Sequence, residues 1–288
     1  MTWTSQAAIL RNAGPVQSIT LIKYFGYGSN MNFISLRAKG VVPSASRAAV
    51  LNGWRLEFNV EHFFRHEGGV GNIECTGGPA DRVLGVLHCC DETDLAALDR
   101  MEAYGVGYDR VEVTVETELG TERALAYVGL PEFVNDACRP TRRYLNILSR
   151  GAAEAGLDPA YIAALDARPV LPPRKLSPFQ PAETGSSLDH TALAPHLTAL
   201  AGSVFDMSGA RPAQSIAKDW FGGKEVTLFL LKRLDTSDGS ECLEDVIADR
   251  LRPDQRDCLN TYLHAFADEY AYVGRFDYTS LPDEKTLG

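Results

Sequence analysis

The sequence predicts an α+β chain in two successive parts, and three patterns predict it. Alternating apolar runs such as Trp54-Arg55-Leu56-Glu57-Phe58 and Val111-Glu112-Val113-Thr114-Val115 read as strands. Apolar residues at helical spacing, such as Leu95 and Leu98, mark helices between them. Pro169, Pro172, Pro173, Pro178 and Pro181 then suit an extended linker over 168–190. A chain of 288 residues that is 45% hydrophobic can bury one large or two modest cores.

In chain order, Leu21 to Phe25 is a buried strand stopped by Gly26. Gly28 permits backbone angles closed to other residues, and Ser29 and Asn30 favour turns and helix N-caps. The chain is expected to swing here into a helix over Phe33–Ala38, with successive N–H groups aimed at one spot. Such a cluster holds a carboxylate or a developing oxyanion. Gly68-Gly69 and Gly77-Gly78-Pro79 punctuate the stretch after Trp54 to Phe58.

Asp91 is suited to cap a helix that stops near Gly105. On it Leu95, Leu98 and Glu102 share a face. A carboxylate on an apolar face near a helix C-terminus is expected to titrate upward, which suits a group that takes and returns a proton. The alternatives are a solvated Glu102 or one paired with Arg110. A β-hairpin follows over 110–129, turning at 118–121, and then a helix beginning near Pro140 with Leu145, Leu148 and Tyr144. Gly26-x-Gly28 and Gly69-x-Gly71 complete no phosphate-loop pattern.

Residues 21–167 resemble the gamma-glutamylcyclotransferase-like (AIG2-like) family. The likeness rests on six ordered blocks, among them Tyr24-Phe25-Gly26-Tyr27-Gly28-Ser29-Asn30, Gly69-Val70-Gly71-Asn72-Ile73, Leu98-Asp99-Arg100-Met101-Glu102 and Pro140-Thr141-Arg142-Arg143-Tyr144. The resemblance implies a small mixed β-barrel of about six strands with flanking helices. It also implies an enzyme, of the lyase or acyl-transfer kind, that cleaves a gamma-glutamyl amide. The substrate's own α-amine attacks its γ-carbonyl and releases 5-oxoproline and a free amine. By the resemblance, Glu102 is the catalytic acid/base. Tyr27, Gly28, Ser29 and Asn30 hold substrate or oxyanion, and Tyr108 and Tyr144 flank the pocket. No metal or cofactor is implied. An amide hydrolase or acyltransferase on the same pocket is the alternative.

Residues 191–278 resemble a degenerate cytochrome b5-like haem/steroid-binding domain, α+β in class. The blocks are Val204-Phe205-Asp206-Met207-Ser208, Phe221-Gly222-Gly223-Lys224-Glu225 and Tyr272-Val273-Gly274-Arg275-Phe276. The segment Arg211 to Asp219 lacks the His or Tyr that would ligate iron, so haem is not expected. Dimerisation to a homodimer, docking, or shaping access to the first pocket are the expected roles. A non-catalytic ligand- or haem-binding protein working through this part is the competing class. Residues 1–20 read as an extension and 279–288 as a tail.

The formal net charge of −10 argues against nucleic acid and anionic membrane as partners; the partner implied by the resemblance is a small-molecule gamma-glutamyl substrate. There is no apolar run of about 18 residues and no signal-peptide pattern in Met1 to Thr20, so a cytoplasmic location is expected. The six cysteines show no CxxC spacing and read as free, buried thiols.

Overall fold

Five strands curl into a closed barrel in the order β1-β5-β2-β6-β7. The computed structural model describes residues 21–182 and 185–280. The extension expected over 1–20 and most of the tail expected over 279–288 lie outside the described residues. The barrel strands are β1 (Ile22–Gly26), β2 (Ala45–Asn52), β5 (Arg82–Cys90), β6 (Tyr108–Thr117) and β7 (Gly120–Gly129). β3 (Trp54–Glu61) and β4 (Gly69–Cys75) form a separate two-stranded sheet. The expected barrel of about six strands therefore has five, because β3 and β4 pair with each other instead of closing the ring.

All neighbours in the barrel are antiparallel except β1 and β7, which meet in parallel at Tyr24 and Leu125. Alternation fills the interior: Val113, Val115, Ala124 and Ala126 of the β6–β7 hairpin are buried with Phe25, Leu51 and Val83. A side chain at Gly85 would lie 2.5 Å from the Gly26 carbonyl oxygen. That contact explains a glycine where β5 passes β1.

Four helices cover the barrel: α1 (Phe33–Ala38), α2 (Glu92–Met101), α3 (Arg142–Glu154) and α4 (Pro159–Asp166). α1 spans the residues the sequence predicts, but its cap is Asn32, whose Oδ1 accepts from Ser35 N–H at 2.9 Å. Ser29 and Asn30 form a 3-10 turn before it. Asp91 caps α2 with a reciprocal bond to Asp94. The helix ends at Glu102 because Ala103 takes φ 50° and turns the chain away. Leu145, Leu148 and Ala152 seat α3 on the barrel core. Its Gly151 allows close approach: a Cβ there would lie 2.5 Å from Asn32 N.

The second part holds a five-stranded sheet in the order β11-β9-β10-β12-β8. Its strands are β8 (Ser186–Leu188), β9 (Leu197–Leu200), β10 (Ser203–Asp206), β11 (Lys224–Glu225) and β12 (Ala271–Phe276). The helices are α5 (Ser215–Phe221), α6 (Thr227–Leu231), α7 (Leu243–Ile247) and α8 (Pro253–Glu269). β8 falls inside the stretch read as linker. Residues 169–182 carry no helix or strand, but 186–188 pair in parallel with β12. The stretch is also anchored, with Leu171 N–H donating to Pro140 O at 2.8 Å and Phe179 N–H to Asn260 Oδ1 at 2.7 Å.

The two parts share a core. Phe64, in the loop between β3 and β4, is 2% exposed and packs among Phe205, Phe221, Phe266 and Tyr270 of the second part. Its ring centroid lies 5.3 Å from that of Phe266. Nearby, buried Glu67 accepts hydrogen bonds from Arg143 and from Tyr262 of α8. Despite its burial the carboxyl is held well below the usual range, by Arg143 above all. Phe64→Ala is expected to lower unfolding free energy by about 3–5 kcal/mol, the usual cost of emptying a buried aromatic site. Urea denaturation checks this, and a loss below about 1 kcal/mol would contradict the shared core.

Candidate active site

The C-terminus of α2, the turn after β1 and the C-terminus of α1 converge on one carboxylate. Asn30 Nδ2 donates to Glu102 Oε1 at 2.9 Å, and Lys39 Nζ donates to the same oxygen at 3.0 Å. Lys39 also donates to Asn30 Oδ1 at 2.6 Å and to Ser29 Oγ at 3.4 Å. Asn30 Nδ2 reaches Tyr24 OH at 2.6 Å. The Lys39 side chain is 4% exposed and that of Glu102 is 16% exposed, so the pair is largely removed from water.

This environment reverses the upward shift expected for Glu102. Burial does push its pKa up, but the Lys39 ammonium and the Asn30 amide together outweigh it and hold the carboxyl below its ordinary value. Glu102 is ionised at neutral pH. Lys39 is pulled down by burial, with Glu102 opposing. Arg110, the alternative partner, instead pairs with Asp99 at 3.4 Å.

The loop that carries Asn30 is braced from behind. His88 of β5 is fully buried, and its Nε2 lies 3.0 Å from the Asn30 carbonyl oxygen. A carbonyl only accepts, so Nε2 carries the proton and Nδ1 accepts from Ser46 Oγ at 2.8 Å. Burial keeps the ring neutral, pushing its pKa down to about 4. In the turn itself the first bonded N–H is that of Met31, to Gly28 O. Before it in the turn, the Ser29 N–H is directed at the Tyr144 hydroxyl oxygen, which the Gly71 N–H also meets.

All seven residues singled out from the sequence line one cavity of about 110 Å³: Tyr27, Gly28, Ser29, Asn30, Glu102, Tyr108 and Tyr144. Their roles differ in detail. The Asn30 side chain is fully engaged as a tether for Glu102 and Lys39. Tyr27 OH donates to Tyr127 O at 2.6 Å, and Tyr108 OH donates to Gly71 O at 2.8 Å. Tyr144 OH accepts from Gly71 N–H at 3.0 Å, and burial raises its pKa to about 12, so it stays a phenol able to donate. Gly28 leaves room for it, since a Cβ there would lie 3.0 Å from the Tyr144 oxygen.

Sequence reasoning missed Lys39, Tyr24, His88 and, from the second part, Ile216, Trp220 and Arg233, which also line or brace the site. Lys39 follows a helix end, where a lysine ordinarily faces water and only complements the dipole. Nothing in its spacing signals burial. The six cysteines are free, with Cys89 and Cys90 buried as expected and Cys75 exposed. Among the described residues no cluster of His, Cys, Asp and Glu is arranged to hold a metal ion, and no helix is long and apolar enough to cross a membrane.

A sequence model of the AIG2-like family matches residues 82–165, the stretch that carries Glu102, Tyr108 and Tyr144. The solved structures similar to this chain include an uncharacterised protein from Homo sapiens. It is 26% identical, covers 55% of this chain and 94% of its own, and has a TM-score of 0.46. A gamma-glutamyl cyclotransferase is 24% identical, over 55% of this chain and 94% of its own, with a TM-score of 0.45. A gamma-glutamyl cyclotransferase specific to glutathione from yeast is 14% identical, over 51% and 94%, with a TM-score of 0.40. No curated protein matches the chain.

Lys39→Met leaves Glu102 buried without its main counter-charge, so its carboxyl pKa is expected to rise above the ordinary carboxylate range. Carbon NMR of labelled glutamate side chains reads this directly. In wild type the depressed pKa stabilises the fold above the unfolded-state pKa, and that contribution is lost as pH falls. In the variant the raised pKa reverses the sign. The stability gap between the two proteins, about 3–5 kcal/mol for breaking a buried pair, is expected to narrow on acidification. A gap that is constant from pH 7 to pH 4 in urea titrations would contradict the Lys39–Glu102 assignment.

Proposed function

We propose that the chain is a gamma-glutamylcyclotransferase. The observation that carries this reading is an ionised, largely buried carboxylate, Glu102, held by Lys39 and Asn30 in one small cavity with the Tyr27–Asn30 turn. The ordered motifs of residues 21–167 and the AIG2-like match over 82–165 support it.

The chemistry needs little else. A gamma-glutamyl amide already contains nucleophile and electrophile, and its α-amine closes on the γ-carbonyl when the chain is held bent. Glu102 takes a proton from the α-ammonium. The freed nitrogen attacks the γ-carbonyl carbon, and the developing oxyanion meets backbone N–H groups of the Tyr27–Asn30 turn. Glu102 then gives its proton to the leaving nitrogen as the amide C–N bond breaks, and the second proton shed by the ring nitrogen also passes to the amine, which departs as an ammonium. The products are 5-oxoproline and the free amine, and no water is consumed. Tyr144, neutral and able to donate, orients the glutamyl chain. The second part, whose cytochrome b5-like character is also a proposal, acts here as a wall of the same cavity.

The contact between Lys39 Nζ and Ser29 Oγ favours a second reading, in which Ser29 is acylated and water releases glutamate. Lys39 donates in that contact and is held charged by Glu102, so it has no lone pair with which to activate the hydroxyl. The two readings separate on product and on variant. The panel to run is a set of gamma-glutamyl compounds with 5-oxoproline, glutamate and free amine followed by mass spectrometry. Glu102→Gln is expected to lose roughly a hundredfold or more in kcat, the usual loss for an acid/base. Ser29→Ala is expected to keep turnover within about tenfold, since it removes no acid or base. Glutamate as the product, abolished in Ser29→Ala, would transfer the assignment to the hydrolase.

A further inference from the structure

The cavity around Glu102 is not lined by the first part alone. Ile216 and Trp220 of α5, with Arg233 just after α6, complete its lining. Trp220 is fixed in place, its Nε1 donating to Arg100 O at 2.6 Å and its ring packed edge-on to Phe63 at 5.3 Å. Arg233 is fixed as well. Its carbonyl accepts from Arg143 Nη1 at 2.9 Å, and its guanidinium lies over the Phe229 ring, 5.0 Å from the centroid.

That guanidinium has an unusual lack. Among the described residues no carboxylate lies within ion-pair range of it, although its charge acts on Glu102, Lys39 and Tyr144. Glu102 is already committed to Lys39. Two cations thus face one largely buried carboxylate, and the other acid lining the cavity, Glu61, is exposed. Burial keeps neighbouring His62 neutral, its pKa pushed down to about 3. Arg233 therefore brings to the cavity a positive charge with no ion-pair partner among the described residues.

Where the substrate fits follows from the chemistry. On the cyclotransferase reading, on which this inference rests, Glu102 and the Ser29–Asn30 turn engage the glutamyl half. The leaving half meets the wall that remains, formed by Phe63, Ile216, Trp220 and Arg233. We propose that Arg233, carried into the cavity by the second part, binds a carboxylate on the leaving amine, so that gamma-glutamyl amino acids and peptides are selected over gamma-glutamyl derivatives of uncharged amines. A zwitterionic glutamyl end joined to a carboxylate-bearing leaving group has a net charge of minus one, which matches the unpartnered positive charge. Arginine suits the task because its planar fork engages a carboxylate through two hydrogen bonds.

The test compares gamma-glutamyl-alanine with gamma-glutamyl ethylamide, which differ only by the carboxylate, on the full chain. In wild type the alanine compound is the better substrate. Arg233→Met is expected to raise its KM roughly tenfold or more, the loss typical of a charge-assisted hydrogen bond, and to leave KM for the ethylamide within about twofold. Arg233→Lys is expected to restore part of the preference. Equal losses on both compounds, or no loss on either, would overturn the proposal. The ethylamide arm reports a variant that has merely misfolded. Calorimetric Kd values for the same pair keep the two readings distinguishable. If neither compound yields 5-oxoproline yet the alanine compound binds more tightly and loses that advantage in Arg233→Met, cyclotransfer falls and the Arg233 assignment stands. If wild type shows no difference in Kd or KM, the Arg233 assignment falls.

Discussion

A carboxylate and an ammonium buried against each other set the terms for the rest of the site. Removing one partner of such a pair costs about 3–5 kcal/mol, so three chain segments must meet in fixed register: the end of α1, the turn after β1 and the end of α2. Asn30 is the link that enforces it. Its side chain touches Glu102, Lys39 and Tyr24, and its backbone carbonyl is held by His88. The Tyr27–Asn30 turn is therefore more than a cradle of N–H groups. It is also the clamp that fixes the charge state of Glu102.

One helix carries the geometry from this clamp to the second part. α3 approaches the loop closely through Gly151, places Tyr144 against Gly71, and presents Arg143, Asn146 and Arg150 at i, i+3 and i+7 along another face. Those three residues hold the segment after α6. Arg143 donates to Arg233 O, Asn146 to Asp235 Oδ2 at 2.6 Å, and Arg150 to Ser237 O at 2.6 Å. A shift of α3 would move Tyr144 and Arg233 together. The Phe64 plug and the buried Glu67–Arg143–Tyr262 cluster resist that shift. The second part is thus built into the cavity wall by the same elements that build the barrel side.

Local signals were legible in the sequence and long-range ones were not. Helix α1, the capped start of α2 and the 110–129 hairpin follow from periodicity and from capping and turn residues, which act within a few positions. Placing Glu102 beside Tyr27 to Asn30 needed ordered motifs as well, because helical spacing gives a face but not what that face meets. The sign of the Glu102 shift was misread for the same reason. Burial was visible in the pattern, whereas Lys39 lies 63 positions away and looks like an ordinary helix-end lysine. The pairing of β3 with β4, and of β8 with β12, depends on which edges are free in three dimensions.

A carboxylate held below its ordinary pKa looks poorly matched to taking a proton from an ammonium, and the magnitudes decide whether that matters for the proposed reaction. Each pKa unit of mismatch costs about 1.4 kcal/mol. Holding nucleophile and electrophile within one bent molecule is worth about 7–11 kcal/mol, which outweighs several units. Base strength is then the lesser demand on this site. The greater one is a narrow cavity that keeps the glutamyl chain folded onto itself. The neutral buried tyrosines, the glycines at 28 and 71 that let Tyr144 come close, and the wall supplied by Trp220 all serve that demand. Lys39 makes Glu102 a weaker base, and in return it keeps an ionised carboxylate in a place where burial alone would have neutralised it.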